Sequence, residues 1–106
     1  MVIMASTLQK AINEARHITP EEIARDNMRA VPDGQPGRLY AYRVTLYMYS
    51  GRIECHYVEA ENKQSAHDKG YKWANPIANS GVDGVRWMDA VRLSRKYCQE
   101  KNITFE

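Results

Sequence analysis

"YAYRVTLYMYSGRIECHYVEA", residues 40–60, is the stretch that decides how this chain folds. It carries five of the seven tyrosines. Aromatic and β-branched residues recur on both sides of Ser50-Gly51, and glycine supplies the positive φ that a two-residue hairpin turn needs. That turn sets Met48 opposite Ile53, Leu46 opposite Cys55 and Val44 opposite Tyr57. One face then receives Tyr42, Val44, Leu46, Met48, Ile53, Cys55 and Tyr57. The other receives Arg43, Thr45, Tyr47, Glu54, His56 and Val58. An apolar face and a mixed face are the pattern of a half-buried antiparallel pair.

Upstream, "STLQKAINEARH" (6–17) places Leu8, Ala11, Ile12 and Ala15 at helical spacing behind Ser6 as N-cap. "ITPEEIARDNMRA" (18–30) predicts a second helix. Thr19 is its cap, Pro20 its first residue and Glu22 the capping-box partner, with Ile18 and Ile23 spaced as a hydrophobic staple. "VPDGQPG" (31–37) is a turn-rich linker.

Downstream, "ENKQSAHDKGYKWAN" predicts a helix capped by Asn62, with Ala66, Gly70, Trp73 and Ala74 on its inner stripe. Pro76 should end it at or before Asn75. Gly70 suits a close approach of helix to sheet. "VRWMDAVRL" (85–93) alternates Val85, Trp87, Val91 and Leu93 against Arg86, Met88 and Arg92, as a strand does. A helix from Asp83 through Lys101 fits the same residues almost as well. The tail reads as partly helical with an extended end. The expected fold is therefore α+β: two N-terminal helices followed by a ββαβ unit with a small antiparallel sheet. Residues 1–106 make a single domain, divided into a helical N-terminal segment (1–30), a linker (31–37) and a ββαβ core and tail (38–106). Trp73, Trp87, Val44, Leu46 and Ile53 should centre the core.

Composition narrows the function classes. Fifteen Lys and Arg against thirteen Asp and Glu give +2, far from the balance of a dedicated nucleic-acid binder. No run approaches the roughly 20 apolar residues of a membrane span, so no membrane role is expected. "MVIM" is too short for a signal sequence, and two cysteines suit a reducing cytoplasmic setting. Cys55, His56, His67 and Cys98 match no metal-ligand spacing. No P-loop, dinucleotide turn or serine-nucleophile elbow is present. The expectation is no enzyme, no catalytic residues, no cofactor and no metal. Glu21 and Glu22 suit a helix N-terminus, with Asp26 extending a possible acidic patch for a basic partner.

The mixed face of the hairpin offers the functional candidates. Arg43, Tyr47, Tyr49, Arg52 and His56 combine aromatic and cationic groups, the residue types that carry interface energy. Either the N-terminal helices or a second copy covers them, or a protein partner binds them. Arg92, Arg95, Lys96 and Lys101 make the segment 86–101 basic and support an alternative: a small nucleic-acid-associated protein that binds weakly and without specificity.

The hairpin running into "VEAENKQSAHDKGYKWA" and then "GVRWMDAVRL" resembles the ββαβ cores of small phage-encoded accessory proteins, the host-takeover and anti-defence proteins. The resemblance covers residues 40–93. It implies a non-enzymatic protein-binding module that inhibits a host enzyme or defence complex by direct contact, with an unidentified protein partner or a homodimer.

Overall fold

A computed structural model describes residues 16–106 of the chain. The predicted first helix lies outside the described residues as far as residue 15. Its last two residues are not helical: Arg16–His17 form β1 and pair with Glu54 and Cys55. The chain continues through α1 (Pro20–Met28), β2 (Tyr40–Met48), β3 (Ile53–Ala60), α2 (Lys63–Asn79), β4 (Val85–Leu93) and α3 (Arg95–Glu100). The fold is α+β. Three long strands and the short β1 form one antiparallel sheet in the order β1-β3-β2-β4.

Local signals set several boundaries as expected. Thr19 caps α1: the Glu22 N–H donates to its hydroxyl at 3.2 Å, and Pro20 opens the helix. Ile18 and Ile23 join one apolar cluster. Asn62 caps α2 by accepting from the Ser65 N–H at 2.8 Å. Residues 85–93 are a strand, and the tail carries a six-residue helix before an extended end. Pro76 does not end α2, which runs on to Asn79. Tertiary burial of Trp73, Ala74 and Ile77 outweighs the local cost of proline there.

The hairpin register differs from the expected one by a single residue. Gly51 has φ 94° but occupies the third loop position, not the second. Its N–H donates to Met48 O at 3.0 Å, and the Met48 N–H donates to Arg52 O at 2.9 Å. The loop is therefore Tyr49-Ser50-Gly51, a turn closed by a left-handed glycine. Val44 stands opposite His56, Leu46 opposite Glu54 and Tyr42 opposite Val58. The slip moves every β3 side chain to the other face. Cys55, Tyr57 and Ile53 leave the Val44 face, and Glu54, His56 and Val58 join it.

Both faces of the sheet are covered. Helix α2 packs Ala66, Trp73, Ala74 and Ile77 on Tyr42, Val44, Leu46, Met48, Val58, Met88 and Ala90. Gly70 permits this approach, since a Cβ there would fall on Met88 Sδ and 2.9 Å from Val44 Cγ1. The opposite face packs Ala41, Cys55, Tyr57 and Leu93 against Ile18, Ile23, Tyr97, Cys98, Ile103 and Phe105. Trp87 is not a core residue. It is 58% exposed on edge strand β4, where Met88 and Ala90 turn inward instead.

Candidate functional site

The five candidate residues are not brought together on one open face. Arg43 is 0% exposed. Its guanidinium donates to Asp26 at 3.2 Å, to Asn27 at 3.1 Å and to the Thr45 hydroxyl at 2.8 Å. The expectation that Arg43 faces solvent is therefore corrected. Asp26 completes the arrangement. It accepts from the Tyr97 hydroxyl at 2.5 Å, from Lys101 Nζ at 3.1 Å and from the Tyr57 hydroxyl at 3.3 Å. Asp26 is buried, so it belongs to no surface acidic patch. Burial alone would push its carboxyl up. The Tyr97 and Lys101 bonds, the Lys101 charge and the Arg43 bond outweigh that and hold it below the usual carboxylate range. Burial and the bond to Asp26 push the Tyr97 hydroxyl up.

His56 is also interior, which again corrects the expected exposure. Its ring stacks on Trp73 with centroids 3.9 Å apart, and Nδ1 lies 2.8 Å from the Glu106 carboxylate. Burial pushes the Cys98 thiol up, with Asp26 adding to the shift, which keeps it a poor nucleophile. Cys55 and Cys98 share one apolar cluster while His56 faces the other side of the sheet. Among the described residues no three His, Cys, Asp or Glu side chains converge on a common point for a cation. No helix among them is long and apolar enough to cross a membrane.

Tyr47, Tyr49 and Arg52 lie at the turn end of the sheet. Tyr49 is 73% exposed, whereas Tyr47 is half-buried. Tyr47 stacks on Trp87, its cross-strand neighbour, with centroids 5.1 Å apart. Arg52 pairs with the buried Glu54 carboxylate, so its guanidinium serves the fold as well as the surface. The end is fastened. The Ser50 hydroxyl donates to Asp83 at 2.6 Å, and the Tyr49 N–H donates to Gly84 O at 2.9 Å. The Ser50 bond leads the interactions that hold Asp83 below the usual carboxylate range. Val82, on the loop so fastened, is exposed.

The residue that sequence reasoning missed here is Trp87. Its signal was the strand alternation itself, which does set Trp87 with Val91 and Leu93; that face is covered at Leu93 and open at Trp87. Met88 can reach the space above Gly70, and that close approach fixes which residues of β4 face inward. Of the basic segment, Arg92 donates to Pro32 O, Arg95 pairs with Glu59 and Lys101 with Asp26. Arg86 and Lys96 remain exposed. No family model matches the chain, and no curated protein or solved structure matches it.

Proposed function

We propose that the chain is a non-enzymatic protein-binding module that docks a protein partner through the turn end of its sheet. Direct protein contact is what the resemblance of its ββαβ unit to phage-type inhibitors implies. The observation that carries the reading is the exposed Trp87, stacked on Tyr47, together with the exposed Tyr49 on a turn fastened to the 80–84 loop. Aromatic rings held in place before binding lose little conformational freedom on docking, so their buried area is available as affinity. The ionisable cluster around Asp26 favours a structural role, because it is closed to solvent and bonded to itself. A chain with only two cysteines, both buried, suits a cytoplasmic setting.

Site-specific crosslinking tests the reading. A photoreactive phenylalanine analogue at position 49 should give one discrete protein adduct in cells of the host. The same group at position 96, at the far end of the sheet, should give none. Equal labelling from both positions, or none from position 49, would remove the turn end as the interface.

A further inference from the structure

We infer that the chain pairs with a second copy of itself along the outer edge of β4, joining two sheets into one. Strand order leaves β4 at an edge. The Val31 N–H donates to Arg92 O at 3.0 Å, so the peptide groups of Arg92 point away from β2. Strand geometry repeats that direction every second residue, which turns the N–H and C=O of Ala90 and Met88 outward as well. Among the described residues, the Ala30–Leu93 bridge and Val31 cover only the far end of this edge. The register shift between Tyr47 and Met48 interrupts the strand at Arg86. Between the two lies a short segment centred on Met88, with Trp87 beside it. An edge of this kind is a template for another strand.

For a second copy, charge selects between two registers. A two-fold axis through Met88 sets Trp87 of each chain opposite Asp89 of the other and brings Arg86 near Ala90. An axis through Asp89 would instead oppose the two Asp89 carboxylates and set Arg86 against Arg92, which is unfavourable. Both α2 helices fall on the same side of the joined sheet. The groove of about 380 Å³ between α2 and β4, lined by His67, Tyr71, Asn75 and Trp87, then receives the flank of the second copy. The pairing is short, so the dimer falls at the weak end of specific interfaces. It goes beyond the turn-end reading: Tyr49 and Val82 lie at the two outer ends of the pair, presenting two docking ends for avidity.

Sedimentation velocity on the full chain, over about 5–500 μM, should show a monomer passing to a dimer. Amide exchange at Met88 and Ala90 should slow at least ~10-fold across that range, while Trp87 and Asp89, already bonded to β2, stay unchanged. Trp87→Asp places two carboxylates opposite Asp89 and should weaken the dimer about 10-fold or more. Trp87→Asp with Asp89→Lys restores opposite charges in that register and should recover it. Tyr49→Ala should leave the dimer constant unchanged, whatever it does to partner docking. A monomer at every concentration would overturn the proposal. So would a dimer whose Met88 and Ala90 amides exchange independently of concentration, failure of the folded double variant to recover, or loss of the dimer in Tyr49→Ala.

Discussion

The two faces of the sheet are closed by different means. On one, the single helix α2 lays an apolar stripe over Val44, Leu46 and Met88, drawn close by Gly70. On the other, α1, α3 and the C-terminal tail each contribute a few apolar residues around a charge cluster, with Asp26 bonded to Arg43, Tyr57, Tyr97 and Lys101. The apolar face needs only complementary volume. The second face fastens elements far apart in sequence through directional bonds, and a charge buried there must be paired because desolvation is costly. With both faces closed, the open aromatic surface is confined to the end and edge of the sheet, at Tyr49 and Trp87.

The comparison is broken most severely by removing one anchor from each face. Asp26→Ala strands the Arg43 guanidinium and should cost about 3–5 kcal/mol in urea unfolding. Trp73→Ala should cost a similar ~3–5 kcal/mol through lost packing. If Asp26→Ala proves mild, the charge cluster is ornament and the second face is held by its apolar residues alone.

Acid should distinguish the faces next. The Asp26 carboxyl titrates below its ordinary value of 3.8 in the folded chain. Its contribution is complete above the ordinary value and disappears as pH falls through the lower folded one. Melting temperature should therefore drop below about pH 4, and Asp26→Asn should flatten that limb. Trp73→Ala should shift the whole profile down without changing its shape. Gly70→Ala probes the apolar face more gently. The added methyl meets Met88 and Val44, costing about 1–3 kcal/mol, offset by roughly 1 kcal/mol of helix propensity.

How legible each region was follows the same division. Helix α2 was readable because Ala66, Gly70, Trp73 and Ala74 sit on one stripe within a dozen residues. The α1 start was readable because a cap, a proline and a staple are all local. The hairpin was visible but its register was not, because Ser50-Gly51 serves a two-residue loop and Tyr49-Ser50-Gly51 a three-residue one with the same glycine. That single step misplaced His56 and Glu54. Arg43 and Thr45 looked like surface because their cover arrives from residues 16 and more positions away, with Asp26 and Asn27 as partners. Of the candidate site, Tyr49 and Arg52 lie at the hairpin tip, whereas Tyr47, expected on an open face beside Arg43, Glu54 and His56, is half-buried and shares its face with neither Glu54 nor His56. Trp87 was assigned to the core because it shares a face with buried Leu93, but that face stays open near the turn.

Fold and proposed function fall on different parts of the molecule: the interior faces hold the chain together, and the sheet end is the proposed docking surface. The most direct measurement compares melting temperature and partner crosslinking, with the photoreactive group at exposed position 82 beside the turn, for Tyr49→Ala with Trp87→Ala and, separately, for Arg43→Ala. The first variant should melt within a few degrees of the parent, since exposed positions cost about 0.5 kcal/mol or less each, and should lose the adduct. Arg43→Ala should melt far lower. A Tyr49→Ala with Trp87→Ala chain that keeps its partner, or an Arg43→Ala chain that melts normally but binds nothing, would contradict the account.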